Sequence, residues 1–501
     1  MASGADNAGR GVLFLAAAKG YFMVAGYAIV FSLPRLLGDA ASWGDYGVVI
    51  AWVSVIDNVI VTATIQGISR FTATADSPQA VEAVKAAGLR GQLMLGGVIA
   101  VIYGACAPLI ASWEEDPSLA PMVRLSAGIV LCYAFYAVFI GSLNGQRRFG
   151  RQAAFDVAFA TLRAAMILGA AALSLGALGA VGGFVGAAFV VLLASALVVG
   201  LPRPRGERFA ASEIVRFMAR LFVYNLALNL LLRVDLLLIK RMSGALSGAA
   251  SAAARAKAAS TTAGFYASAQ YIAFIPYQAI VAVAFVIFPL VSRTTFDEDL
   301  ATTQAYIRKT LRLSLIFVAG LAATLCANPE ALLGVPFPAP YRVAAPALRL
   351  LAAGMIGFSM FTIINTVLNG AGRTTLAILS GVLTLGGAAL ANYLAIGSAA
   401  TPAEAMARAA AASAGAMLVG SLVAGLLLYR TFRAGIAPLT LLRVAIAAGA
   451  AVALGWLLPE VSKVVTLAES ALVFVAYLVV LVITGELGKR ELAEIKRLVR
   501  R

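Results

Sequence analysis

The residues of this chain that could do chemistry are few, and they sit in apolar surroundings. Lys19, Asp57, Asp156, Arg163, Arg233 and Asp235 each interrupt an apolar run, and Arg124 and Arg349 stand near the ends of two others. An ionisable group near the centre of a bilayer costs at least about 2.5–3.5 kcal/mol, so each of these needs a water-filled cavity or a partner. The chemistry on offer is binding: fixed cations and carboxylates that hold an anionic group, an ion or one another. The chain has no histidine, which removes histidine acid–base catalysis, and no enzymatic activity is expected. Cys106, Cys132 and Cys326 lie in apolar runs at no metal-ligand spacing and read as packing residues, so no metal site is expected.

Spacing sorts these groups. Asp156 and Arg163 are seven apart and share a helix face, whereas Arg233 and Asp235, two apart, point to nearly opposite faces. Asn225, Asn229 and Arg233 form a polar stripe at i, i+4 and i+8. At 1.5 Å of rise per residue, Lys19, Asp57 and Arg163 lie at similar depth, which makes Lys19 and Asp57 a candidate pair. Lys19, Arg163, Arg233, Asn225, Asn229, Arg124 and Arg349 are therefore the candidate substrate-binding residues. Asp57, Asp156 and Asp235 are the candidates for charge pairing or ion coupling.

The elements that position them are transmembrane helices. Apolar residues make up 61% of 501 positions and charged residues 12%, about half the charge of an ordinary soluble domain. Apolar runs of about twenty residues recur along the chain, each long enough to cross a hydrocarbon core of roughly 30 Å. The fold class is all-α integral membrane, with about fourteen spans. These are expected near 11–33, 43–67, 89–112, 121–143, 152–175, 177–200, 213–239, 263–291, 308–327, 341–368, 374–396, 405–429, 439–458 and 464–484.

The net charge of +16 is explained by orientation rather than by nucleic acid. With both termini cytoplasmic, most Lys and Arg fall inside, as the positive-inside rule requires. One segment dissents, because Lys240, Arg241, Arg255 and Lys257 fall outside.

The chain also repeats itself. Arg124-Leu125 and Leu143-Asn144-Gly145 bracket the fourth span, and Arg349-Leu350 and Leu368-Asn369-Gly370 bracket the tenth, both pairs 225 residues apart. Ser69-Arg70 matches Ser292-Arg293 at 223, and Tyr46 matches Tyr266 at 220. Pro34-Arg35 matches Lys240-Arg241 at a shorter offset, which places an insertion at the Ala-rich stretch 242–262, expected to be an external loop.

The expected organisation is therefore two parallel-repeat six-helix bundles, 1–200 and 213–430, then helices 13 and 14 at 431–484. A cytoplasmic amphipathic tail follows at 485–501. Substrate sites in such transporters lie at the repeat interface. Arg124 and Arg349, equivalent in the repeat, would ring the outer mouth of a central cavity.

At these positions the sequence resembles a known family. LPRLLG after the first span, QGISRF after the second, SLNGQRRFGRQA after the fourth, RVDLLLIK in the seventh, GFYASAQYIAFIPYQ, FPLVSR and VLNGAGRT are similar to segments of the polysaccharide flippases. These belong to the multidrug/oligosaccharidyl-lipid/polysaccharide exporter superfamily. The resemblance covers roughly residues 11–430. It implies alternating access in a bacterial cytoplasmic membrane and a substrate of undecaprenyl-diphosphate-linked oligosaccharide, moved from the inner to the outer leaflet for polysaccharide export. It implies no cofactor, with sodium, protons or the membrane potential as candidate driving forces. The implied partners are membrane lipid, the lipid-linked oligosaccharide and polysaccharide assembly proteins.

Lys19 sits where related lipid II flippases carry first-helix arginines, but the eighth span lacks their basic residue. Asp235 stands where some relatives bind sodium, but the eleventh span has no carboxylate to join it. The alternatives are a lipid II or teichoic-acid precursor flippase and a multidrug antiporter of the same superfamily. From another class, the alternative is a membrane-embedded polysaccharide polymerase or ligase.

The orientation is directly testable. A cysteine at position 205, in the 201–212 loop, should react with an impermeant thiol reagent only from the cytoplasmic side, and labelling from outside would invert the topology.

Overall fold

A computed structural model of the chain describes residues 2–203, 209–280, 300–459 and 462–488. Every regular element among the described residues is helical. Twelve of these helices are long and apolar enough to cross a membrane, and a bent pair over 211–231 makes thirteen. The expected eighth span, 263–291, lies partly outside the described residues, as do Ser292-Arg293 and FPLVSR. The chain divides into two compact units, Met1–Gly264 and Phe265–Arg501.

The first unit holds α1 (Ala2–Leu37), α2 (Ala40–Ala73) and α3 (Pro78–Gln92), then α4 (Val98–Ala105) and α5 (Ala107–Trp113). It continues with α6 (Ala120–Gly145), α7 (Phe149–Ala172), α8 (Gly176–Val199), α9 (Ala211–Leu231) and α10 (Val234–Ser243), and ends within α11 (Ala252–Ala273). α1 packs on α7 and α2 on α6, with α8 against both α6 and α7. Local sequence starts the helices: Asp39 accepts the Ser42 amide at 2.8 Å before α2, and Ser77 accepts the Ala80 amide ahead of Pro78 at the start of α3.

The second unit holds α12 (Leu300–Ala327), α13 (Pro329–Gly334), α14 (Ala345–Gly370), α15 (Thr374–Gly397), α16 (Pro402–Phe432), α17 (Pro438–Trp456) and α18 (Lys463–Ile483). α14 packs on α12 and α16, and α12 also carries α17 and α18.

The repeat is visible helix by helix. α6 and α14 both have 26 residues, and α7 and α15 both have 24, with all four boundaries offset by 225. The turns after α6 and α14 share one bonding pattern. The amides of Gln146, Arg147 and Arg148 bond the carbonyls of Ser142, Asn144 and Leu143, and those of Ala371, Gly372 and Arg373 bond Val367, Asn369 and Leu368. Both turns need a left-handed residue: Gly372 takes it at φ 75°, and Arg147 takes it at φ 57° against the preference of a side chain. In the first turn Asn144 is a tie between helices. It accepts from Ser69 of α2 at 2.7 Å and donates to Gln152 of α7 at 3.0 Å.

Four expectations are corrected. The third span is not one helix over 89–112. It starts at Pro78, widens into a π turn at Leu93–Gly97 and breaks at Cys106. Gln92 at that turn donates to Thr64 at 2.7 Å, and Pro108 cannot supply the amide that would continue the helix.

The seventh span is broken at Leu232–Arg233 into α9 and α10, and it packs within the first unit, where Ile214 and Met218 join Ala63, Ile68 and Val138. The Ala-rich stretch 242–262 is a loop only as far as Ser251; it is helical from Ala252, with Ala252–Ala254 exposed and Ala259, Ser260 and Thr262 buried. The tail expected at 485–501 begins as a packed segment rather than a separate surface helix. Glu486 is buried, held by Arg312 at 2.7 Å, Arg443 at 3.3 Å and Thr440 at 2.9 Å, so it joins α12, α17 and the end of α18. Residues 489–501 lie outside the described residues.

Two of the four dissenting basic residues, Lys240 and Arg241, have an explanation, whereas Arg255 and Lys257 are exposed. Lys240 is fully buried, with its ammonium 2.6 Å from Asp116 and 3.5 Å from Asp45. Arg241 donates to the Trp113 carbonyl and lies 4.9 Å from that indole ring. These charges serve internal ties, so the orientation rule does not count them as loop charge. Next to them Glu114 accepts from the Trp52 indole at 2.7 Å.

Burial pushes Glu114 up to about 8, against the pull of Trp52, Lys240 and Arg241. Burial also acts to raise Asp116, but the bonds from Lys240 and Ser118 outweigh it and hold that carboxyl below the ordinary range.

The sign for Glu114 follows from linkage. Its folded pKa lies above its ordinary value of 4.5, so its contribution is fully present below about 4.5 and is lost as pH rises toward about 8. Thermal stability in detergent should therefore fall over that window. Glu114→Gln should flatten the fall, which amounts to a few kcal/mol at about 1.4 kcal/mol per unit. An unchanged slope in the variant would assign the pH dependence elsewhere.

Candidate functional site

The first unit gathers four of the ten candidate residues. Lys19 projects from α1, Asp57 from α2, and Asp156 and Arg163 from α7. The Lys19 ammonium lies 2.9 Å from Asp156 Oδ2, so the anticipated Lys19–Asp57 partnership is replaced by Lys19–Asp156. The reason is the packing of α1 along α7, which sequence depth alone cannot choose.

Asp57 instead faces the charge of Arg163. The Arg163 guanidinium sits among three rings, 4.5 Å from Phe22, 5.6 Å from Phe184 and 5.9 Å from Phe159, and bonds Tyr133. Each such ring contact is worth about 0.5–2 kcal/mol, more as water is excluded. α1 passes close by at Gly26, where even a Cβ would make only ordinary contact with the guanidinium, at 3.5 Å.

Burial divides this cluster by sign. The Lys19 side chain is 56% exposed while that of Asp156 is 9% exposed. Asp57 is buried and Arg163 half-buried. The accessible edge is therefore basic and the carboxylates lie behind it. Among the buried polar atoms of this cluster, Asp57 Oδ1 and Arg163 Nε have no hydrogen-bond partner, and Asp156 Oδ2 has only its ion pair with Lys19. Such atoms are costly to bury and mark a place where a ligand, an ion or water completes the network.

The other candidates stand apart from this cluster. Asn229 accepts from Asn58 of α2 at 3.0 Å and donates to the Asn225 carbonyl at 2.9 Å, so the expected stripe on the seventh span bonds to α2. Arg233 caps α10 at the break, and Asp235 is buried with its carboxylate accepting the Leu236 amide. Arg124 is exposed near the start of α6. Arg349 donates to the Cys326 carbonyl at 3.2 Å, approaches Glu330 at 3.8 Å and lies 5.9 Å from the Trp456 ring, so its contacts are with α12, α13 and α17.

No group of three His, Cys, Asp or Glu able to hold a metal occurs among the described residues. The aromatic box was missed by sequence reading, although Phe155 and Phe159 at i, i+4 and the Tyr133–Tyr136 pair were its signal.

A bundle of a dozen or more apolar spans, with charges gathered inside it, defines a multi-pass membrane protein. Solved structures give the fold its class. A lipid II flippase, MurJ, in an inward closed conformation superposes with a TM-score of 0.73 at 12% identity, covering 93% of this chain and 98% of its own. An inward-facing multidrug resistance MATE family transporter of the MOP superfamily gives 0.64 at 13%, covering 82% and 95%. A MOP superfamily transporter from Pyrococcus furiosus, described as having a binding pocket of reverse polarity, gives 0.61 at 15%, covering 83% and 95%. Each of these relatives is a transporter or flippase.

Residues 33–346 match the family described as polysaccharide biosynthesis protein, and the chain belongs to that family. No curated protein matches it by sequence.

The pairings make a sharp expectation for stability. In double-mutant cycles read by thermal unfolding in detergent, Lys19→Met with Asp156→Asn should show coupling of about 0.5–3 kcal/mol, the range for residues in contact. Arg163→Met with Asp57→Asn should do the same. Lys19→Met with Asp57→Asn should couple less than either, and equal coupling in all three would mean one undivided network.

Proposed function

We propose that this protein carries an undecaprenyl-diphosphate-linked oligosaccharide from the inner to the outer leaflet of a bacterial cytoplasmic membrane by alternating access. The reading rests on its family, whose description is polysaccharide biosynthesis, and on one observation of the site. The ammonium of Lys19 is accessible while both nearby carboxylates are buried.

An anionic diphosphate entering the membrane interior leaves its hydration behind and needs fixed cations in its place. Lys19 and, behind it, the caged Arg163 offer that replacement. Asp156 keeps Lys19 compensated while the site is empty, which lowers the cost of holding an ammonium within a span. Phosphate arriving at Lys19 competes with Asp156 for the same protons. The exchange of one anion for another lets the cation release its cargo later.

Asn58, Asn225 and Asn229 supply neutral polar groups on α2 and α9, suited to sugar hydroxyls. Two features distinguish this set from that of a cationic-drug carrier, whose accessible groups would be acidic: the exposed cation and the burial of Asp57.

A second reading, transport of lipid II, is favoured by the extent of the fold match. The lipid II flippase covers 93% of this chain, whereas the multidrug transporter covers 82%. Its cargo shares the diphosphate and differs in the sugar, so Lys19 and Arg163 would act alike in both.

The test is leaflet transfer in proteoliposomes, with lipid-linked oligosaccharide and lipid II as separate cargoes and folded protein quantified alongside. Lys19→Arg should keep activity, Lys19→Ala should lose most of it, and Lys19→Glu should be worse, because it adds repulsion to a lost attraction. If Lys19→Ala combined with Asp156→Ala restores transport, the pair is a packing device and the binding role of Lys19 fails. Transfer of lipid II alone would select the second reading.

A further inference from the structure

α2 and α11 meet at their glycines. A Cβ on Gly44 would run into the Ser260 carbonyl, and a Cβ on Gly264 would run into the Ala40 carbonyl. Each glycine thus faces the carbonyl four residues before the other, so the crossing has a local two-fold character. Gly44 and Gly264 are 220 residues apart, the offset that relates Tyr46 to Tyr266, so the two contact points are equivalent positions of the repeat. The contact is made by Ala40, Gly44, Ser260 and Gly264, with no large side chain interlocked between them. Small residues let helices approach closely and bury little apolar area.

The polar tie beside the crossing supplies a specific hold. Lys240 donates to Asp116 at 2.6 Å and to Ser260 at 2.5 Å, and lies 3.5 Å from Asp45. One buried ammonium therefore joins α10 to α2, to α11 and to the turn before α6. A cavity of about 570 Å³, lined by Asp39, Asp45, Asp116, Lys257 and Ser260 among others, reaches this knot from one side. Its carboxylates line that space, while Lys240 itself is fully buried.

We propose that the α2–α11 crossing is a gate and that Lys240 is its latch. The inference rests on the alternating-access reading and adds to it the place where one membrane face closes, expected to be the outer one. Smooth contact surfaces part without unpacking large side chains. The single buried cation decides when they part, because separation moves Lys240 away from Asp45 of α2 and Ser260 of α11 while Asp116 stays beside it. Arg241, bonded to Trp113, keeps α10 attached to the turn before α6, so α11 and the start of α2 are the parts free to move away.

The experiment reads gate opening without any cargo. In a protein with Cys106, Cys132 and Cys326 replaced by alanine, Ser54→Cys places a thiol on α2 ten residues beyond Gly44, about 15 Å along the helix. An impermeant maleimide applied from outside should label it slowly. Lys240→Met should speed labelling by about fivefold or more, because loss of the latch shifts population toward the open form. Lys240→Asp combined with Asp116→Lys should return the rate toward the parent.

Should Lys240→Met fail to fold, Asp45→Asn weakens only the longest of the four polar contacts of Lys240 and should raise the rate about twofold. Unchanged labelling in a folded Lys240→Met protein, or in Asp45→Asn where that is the variant that folds, overturns the latch and leaves a static clasp. Faster labelling in a protein that moves neither cargo in proteoliposomes keeps the gate and sinks the proposed substrate instead.

Discussion

A charge inside a hydrocarbon-spanning bundle must be held by something, and this constraint organises the whole structure. Coulomb attraction strengthens as the dielectric falls, while an unpaired buried charge becomes expensive for the same reason. The chain meets the constraint in three ways. Lys240 and Glu486 are buried with several partners each, and they fasten helices together. Arg163 is caged by aromatic faces, which stabilise a cation without neutralising it. Lys19 has one buried partner and an exposed flank. The first arrangement is suited to holding, and the other two leave a cation able to meet a ligand.

α2 is the element through which these arrangements communicate. Its adjacent residues Asp57 and Asn58 face different neighbours, the first toward Arg163 of α7 and the second bonded to Asn229 of α9. Consecutive helical residues point about 100° apart, so one helix can touch the charged cluster and the seventh span at the same depth. At one end Gly44 crosses α11, and toward the other Ser69 is tied to Asn144. Between them Thr64 receives the amide of Gln92 at the π turn of the third span. α2 thus has contacts at both ends and in the middle, and it bears both the crossing at Gly44 and the cluster residue Asp57.

The internal repeat gives the two halves the same helices without the same chemistry. α6 and α14 keep length, turn pattern and boundary offset, yet Arg124 near the start of one is exposed and Arg349 near the start of the other is bonded to Cys326 and stacked near Trp456. The difference has a plain cause. α17 and α18 lie outside the repeat and pack on α12, and they bring Trp456 within reach of Arg349. The charged cluster Lys19, Asp57, Asp156 and Arg163 likewise belongs to the first unit. A duplicated scaffold thus carries a site built largely on one copy, with the crossing of α2 and α11 as the place where equivalent positions meet.

Sequence by itself determined the class, most of the spans and the repeat. Hydropathy acts over some twenty consecutive residues, and turn chemistry acts over four, so both are local and legible. The close of the fourth span at Leu143-Asn144-Gly145, the equivalence of Asn144 and Asn369, and the presence of costly charges at Lys19, Asp57 and Arg163 could all be read along the chain. Choice of partner could not. Lys19 takes Asp156 rather than Asp57, Lys240 turns from an anomalous loop charge into a buried knot, and the Ala-rich stretch becomes a helix. These outcomes depend on how each helix is rotated about its axis and which neighbour it lies against. Those choices are set by close packing of small residues such as Gly44, Gly141 and Gly264 on helices far apart in sequence. Apolar periodicity fixes where a helix lies in the bilayer, and only side-chain fit between helices decides which charges meet.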